Sequence, residues 1–407
     1  MNSSRAILLA FVGACLLAPT SGFSAVLEVT HSPGAGQYAS LAAALGDSTT
    51  GDIIRVIDNS APFDDVVVCS TQDIIIEGDA SLDPRPSLYS TTVPANPWDA
   101  GMPTVFTYNS NGFVCRNLIL SATPNSGGTV VDARFAHGGL FDNVDITGPS
   151  GFWNAFRSQV SVTLNDCVIQ CDNALLGIEY FWTRHAGGAL TLNNCEVGQG
   201  STMAAINFLG GTLDATDTTF TSLAGVTIID NIANDDGDQA DDSILILTSC
   251  VINNDNDTSG DLLTVNGGNP LFTGTLTADN CDFVGNGGAG IVFNNPVDAA
   301  VVDTIFFDLP DGAYDNINAN NDPAGYLLAD DYNAFKLASV GSALLGSNSL
   351  ELALGDFLYV DPLGGDYRLC DDSPAASLNS TGTPAYAGSQ GLSGLFCATG
   401  IDDWRMY

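Results

Sequence analysis

The chain has 407 residues, enough for one long solenoid or two ordinary domains, and 45% of them are apolar, enough for a real core. Its 47 acids face 10 Lys and Arg, a formal charge of −37. That sign excludes a nucleic-acid backbone as partner and disfavours an anionic membrane surface.

The elements follow in chain order. Met1 to Arg5 is a short positive segment, Ala6 to Ala18 an apolar run, and Gly22 to Ala25 offers small residues for cleavage. Residues 1–25 are therefore expected to be a signal peptide. Val12-Gly13-Ala14-Cys15 also resembles a lipobox, so a lipoprotein anchored at Cys15 is the alternative. No later apolar run reaches the length of a membrane-spanning helix. Val26 to Thr30 reads as a strand. Gly36 to Gly46 reads as a short helix, capped by Ser40 and stopped by Gly46. Strands are expected over 52–57, 65–69 and 74–78. Residues 81–103, rich in Pro, Asp and Ser and holding Trp98, read as a loop.

From Thr104 to Phe307 one phrase returns: apolar, any residue, Asp or Asn, Cys or Thr, any residue, apolar. It reads Phe141-Asp142-Asn143-Val144-Asp145-Ile146, then Leu164-Asn165-Asp166-Cys167-Val168-Ile169, then Leu192-Asn193-Asn194-Cys195-Glu196-Val197. The position filled by Leu118, Val144, Cys167, Cys195, Thr218, Cys250, Cys281 and Thr304 advances in steps of 26, 23, 28, 23, 32, 31 and 23. Each interval holds a further apolar run, such as Leu262 to Val265. Two or three short strands per repeat describe one turn of a parallel β-helix. Stacked coils bring one repeat position into a ladder, and the Asp or Asn before it suits a left-handed corner. An antiparallel sandwich would need many tight hairpin turns, which are few here. Cys167, Cys195, Cys250 and Cys281 share the ladder position and are expected as buried free thiols. Cys370 and Cys397 stand apart near the C-terminus and are the expected disulfide pair.

At this point the chain resembles the right-handed parallel β-helix, or pectin-lyase-like, superfamily. Tyr38 to Leu45 and Gly51 to Val56 resemble its N-terminal cap and first strand. Phe357 to Ala375, with Asp361-Pro362 and Gly365-Asp366-Tyr367-Arg368-Leu369 leading to Ser373-Pro374-Ala375, resembles the ending of many exported bacterial β-helix repeat proteins. The resemblance implies an all-β, right-handed parallel β-helix solenoid with a short N-terminal capping helix and an irregular C-terminal cap. It implies an extracellular setting but no particular activity. The expected organisation is a solenoid over 26–345 and a C-terminal cap, last rung and tail over 346–407.

The candidate surface is drawn by Arg134, Arg157 and Arg184, whose steps of 23 and 27 track the ladder spacing. His137, Trp153, Tyr180 and Trp182 lie near them in sequence. Rings stack on apolar sugar faces, and Arg binds carboxylates through two parallel hydrogen bonds. The resemblance adds that the family's enzymes bind polysaccharide on outward sheet faces. The expectation is a secreted or cell-surface monomer that binds an extracellular polysaccharide or surface glycan without clear catalysis. If the face binds nothing, the same arginines offset Asp132 and Glu179, and the protein is a structural or adhesive component of the envelope. If it is an enzyme, it is a polysaccharide lyase or glycoside hydrolase, with Arg157, Glu179 and His185 the catalytic candidates. Asp255, Asp257, Ser259 and Asp261 match the first half of a calcium loop, but Asn266 stands where the loop's bidentate acid belongs. Structural Ca²⁺ and a solvated acidic loop are the two readings of that segment.

Overall fold

A computed structural model of the chain describes residues 24–92, 104–108, 111–123, 129–133, 138–148, 154–158, 161–171, 178–181, 189–199, 206–208, 211–222, 229–231, 243–254, 260–265, 274–285, 287–293, 297–309, 311–315, 327–336, 346–352, 359–361, 366–380, 387–390, 392 and 394. Residues 1–23, with Cys15, lie outside this set, as do Trp98, Cys397 and the tail.

The strands stack in parallel into a β-helix with three faces. The first face carries Val26–Val29, Ile53–Val56 and Ile75–Gly78, and continues through Val162–Asn165, Ala189–Asn193, Gly211–Thr216, Ser243–Thr248, Gly274–Asp279 and Val297–Val302 to Leu327–Asp331. The second runs from Ser87–Ser90 through Val168–Cys171, Glu196–Gln199, Thr219–Ser222, Val251–Asn253, Asp282–Val284, Ile305–Phe307 and Ala334–Lys336 to Leu350–Leu352. Val114–Ala122 and Gly139–Gly148 run unbroken round the corner and belong to both faces. The third face comprises Val67–Cys69, Thr104–Tyr108, Thr129–Asp132 and Asn154–Arg157 in one sheet. A second sheet runs from Ile178–Phe181 to Tyr314–Asp315. The segment 81–103, expected as a loop, therefore contains the opening strand of the second face, where Leu88 is buried. The single apolar residue that turns inward there is too little pattern to mark a strand.

The repeated phrase is the corner between the first two faces. Asn117, Asn143, Asp166, Asn194, Asp217, Ser249, Asn280 and Asp303 all have φ between 50 and 56°, the left-handed conformation that Asn and Asp tolerate best. The corner recurs at Asp73 before Ile74 and at Tyr332 before Asn333, so the ladder runs further than the phrase shows. Each coil's corner amide donates to the next coil, as from Asp166 to the Asn193 carbonyl at 2.9 Å and from Asn194 to that of Thr216 at 3.0 Å.

Cys167, Cys195, Cys250 and Cys281 are buried free thiols. Compactness is only part of their role. The Cys250 thiol lies 3.4 Å from the Thr248 carbonyl and 3.3 Å from that of Ala215 one coil back, and can donate to either. Thr218 and Thr304 donate their hydroxyls to the carbonyls of Thr216 and Val302, at 3.0 and 2.9 Å. Asn333 ends the row by donating to the Val301 carbonyl at 2.8 Å. Several of these carbonyls already accept a corner amide of the preceding coil, that of Thr216 from Asn194 and that of Thr248 from Asp217, so the ladder side chain adds a second donor to them.

Alternation sends every second side chain inward. The inward row of the second face ends in Phe283, Phe306 and Phe335, whose rings stack with centroids 5.1 and 5.3 Å apart. Tyr108, Phe113, Phe141 and Phe156 fill the core nearer the N-terminus. The open N-terminal end is covered by α1, Leu41–Asp47. Ser40 caps it, accepting from the Ala43 amide at 3.1 Å, and the buried Asp65 carboxylate accepts from the Leu41 amide at 2.6 Å. The helix starts at Leu41 rather than Gly36 and passes Gly46, because Ser48 closes it on the Leu45 carbonyl.

Beyond Leu352 the chain turns back. The antiparallel pair Tyr359–Asp361 and Asp366–Leu369 and the short 3₁₀ helix Pro374–Ser377 lie on the outside of the second face. Tyr359, Tyr367, Leu369, Ala375 and Ala387 pack against Val251, Val284, Ile305, Ala334 and Leu352.

Candidate functional site

The site is built on the outward side of the third face. The parallel register aligns Val68, Thr107, Asp132 and Arg157 in one row. Val68 is 45% exposed, but Thr107, Asp132 and Arg157 fall to 3, 2 and 4%. Polar groups at outward strand positions ordinarily meet water, so the burial of these three sets them apart from Val68 in the same row. Burying a charge is costly unless an opposite charge stands close. Here an acid and an arginine are register partners, about 4.8 Å apart along the stack. The backbone is knit at the same place, with the Ala133 amide donating to the Arg157 carbonyl at 2.8 Å.

Arg157 is the one predicted sugar contact whose side chain is described. The register places Asp132 beside it, not Arg134 as the corner spacing suggests. On the third face Arg157 pairs with Asp132 and Phe156 with Val131, whereas beside the corner Val168 pairs with Asp145. The step between register partners is therefore longer on the third face. The turn from the third face to the next first face varies in length, 139 − 132 = 7 positions from Asp132 to Gly139 against 162 − 157 = 5 from Arg157 to Val162, so a ruler read at the corner slips on the third face. Arg134, His137, Trp153, Trp182, Arg184 and His185 lie outside the described residues. Glu179 and Tyr180 fall on the strand Ile178–Phe181, and their side chains lie outside the described set. The sequence alone marks Asp132 only as a neutralising charge. Its one signal is a single acid in the apolar run Val130-Val131-Asp132-Ala133.

Other arginines are committed to structure. Arg55 and Arg116 grip the buried Glu77, with Nε–Oε distances of 2.6 and 2.7 Å. Arg85 reaches Asn143 and Asp145, and Arg368 pairs with Asp366.

The acidic-loop positions Asp255, Asp257 and Ser259 lie outside the described residues. Asp261 is described, and its Oδ1 accepts from the Ala289 amide at 3.0 Å. Among the described residues no group of three or more His, Cys, Asp or Glu is arranged to hold a metal ion. Cys370 is disulfide-bonded, and its expected partner Cys397 lies outside the described residues. No helix among the described residues is long and apolar enough to cross a membrane.

No protein-family model matches the chain, and no curated protein matches it. Among solved structures it is similar to the A-module of the mannuronan C-5 epimerase AlgE6 of Azotobacter vinelandii. The identity is 10% and the TM-score 0.34, over 74% of this chain and 90% of that one.

Proposed function

We propose that the protein is an extracellular β-helix that binds carbohydrate on its third face, with Arg157 and Asp132 in the floor of the site. The observation that carries this reading is the row of Thr107, Asp132 and Arg157, polar and outward yet buried. A guanidinium in a water-poor setting is a strong carboxylate partner, which favours acidic sugars. Arg134, Arg184, His137, Trp153, Tyr180 and Trp182 supply the rest of the surface in this reading. Secretion by the leader over 1–25, action as a monomer and Ca²⁺ at the Asp255–Asp261 loop belong to the same proposal.

The test is a glycan array with purified protein. Acidic glycans are expected to bind, and Arg157→Gln is expected to weaken binding at least about tenfold while melting stays near wild type. Arg157→Lys keeps the charge and should retain part of the binding if folding survives. A folded wild-type protein that binds no glycan overturns the reading. The adjacency of an acid and an arginine also suits catalysis on a uronate, with Glu179 and His185 as further candidates. Unsaturated-product absorbance and new reducing ends, assayed on any glycan that binds, decide between a lyase or hydrolase and a binding protein.

A further inference from the structure

We propose that the described stretches 359–361, 366–380 and 387–390 form a detachable strap, and that the charge state of Asp282 sets how tightly it sits on the second face. Its seat is apolar: Val251, Val284, Ile305, Ala334 and Leu352 occupy outward positions on successive coils, and the strap buries them. Earlier coils of the same face carry exposed Gln170 and Glu196 at equivalent positions, so the apolar surface begins where the strap does. Such an apolar strip left bare is an association surface.

The strap is held at a few polar points. Asp282, fully buried, accepts from the Tyr359 hydroxyl at 2.6 Å and from the amide and hydroxyl of Ser389. Asp303, one coil on, accepts from the amide and hydroxyl of Ser380 and gives its carbonyl to the Gly388 amide at 2.9 Å. The Tyr367 hydroxyl accepts from Asn253. Gly388, at φ 90°, sits so close that a Cβ would lie 2.7 Å from both Asp282 and Ile305.

The titratable groups facing Asp282 are Tyr359 and, behind it, Tyr367 from the strap, and Cys281 from its own coil, while its register partner on the next coil is the apolar Ile305. The register puts Lys336 two coils away in the row of Val284 and Phe307. Among the described residues no cation neutralises the carboxylate. Burial raises its pKa from 3.8 to about 6, while the Ser389 and Tyr359 hydrogen bonds act against the rise. A carboxyl whose pKa is higher docked than free favours docking below the free value. That advantage is lost as pH climbs through the docked value. The window therefore runs from about pH 4 to about pH 6, and the strap loosens on the alkaline side. A rise of that size corresponds to about a hundredfold in the opening equilibrium.

Amide hydrogen exchange of the full chain between about pH 4 and pH 8, corrected for intrinsic rates, tests this. Protection at Tyr367, Leu369 and Ala387 should fall by up to about a hundredfold across the window, while Leu192 and Leu247 in the solenoid stay constant. Asp282→Asn should abolish the pH dependence. If that variant does not dock at all, Ser389→Ala serves instead: it removes a donor to the carboxylate and should move the midpoint upward. A wild-type strap whose protection is flat with pH, or an Asp282→Asn strap that keeps the wild-type dependence, overturns the proposal.

Discussion

At the scale of single residues, the ladder position matters as a hydrogen-bond donor as well as a filler. Cys250 adds a weak donor to carbonyls beside the corner, as Thr218 and Asn333 do with oxygen and nitrogen. Cys250→Thr should therefore be close to neutral. Cys250→Val keeps the volume and removes only a weak second donor, since the Thr248 carbonyl still accepts the Asp217 amide, and should cost less than about 1 kcal/mol, read from the urea midpoint. The corner residue before it is just as specific. Asn194 at φ 52° should tolerate Gly, whereas Asn194→Val should cost at least about 1 kcal/mol. The thiols of Cys115 and Cys281 should be inert in the folded protein. Burial holds the Cys115 thiol up at about 12 and that of Cys281 well above its ordinary value. Maleimide labelling should appear at these positions only after denaturation.

At the scale of elements, the strap and the third face show where local pattern runs out. The ending Asp366-Tyr367-Arg368-Leu369 to Ser373-Pro374-Ala375 is legible as a motif, and its parts have clear local jobs. Arg368 pairs with Asp366, and Ser373 caps the 3₁₀ helix. Nothing local says that Tyr367 and Tyr359 reach back to Asn253 and Asp282, 114 and 77 residues away. Gly388→Ala tests the close approach. The strained φ and the collision with Asp282 and Ile305 should loosen the strap and lower the melting temperature, with loss of roughly 1–3 kcal/mol. On the third face, the sequence points to Arg157 but aligns it with the wrong neighbour. Its pairing with Asp132 is set by a turn whose length the corner phrase does not report.

At the scale of the whole molecule, charge and stacking pull in opposite directions. A formal charge of −37 on one solenoid opposes compaction, so added NaCl should raise the melting temperature by screening alone. Comparing Ca²⁺ with Na⁺ at matched ionic strength separates a specific site in the Asp255–Asp261 loop from general screening. A rise common to both ions leaves that loop a solvated turn.

The coil itself is written in the chain. A left-handed corner favours Asn or Asp, with Ser249 and Tyr332 also taking it, the next side chain is Cys, Thr, Asn or aliphatic, and inward positions are mostly apolar, so similar demands recur at successive turns and appear as a period. The N-terminal helix and the buried thiols follow from the same local rules. Which residues face one another across coils emerges only on folding. Asp132 meets Arg157, and Asp282 meets Ser389, because turn lengths set the register and because the chain's end folds back along its own flank. Those contacts join residues far apart in sequence through geometry accumulated over many coils, and no single repeat encodes that sum.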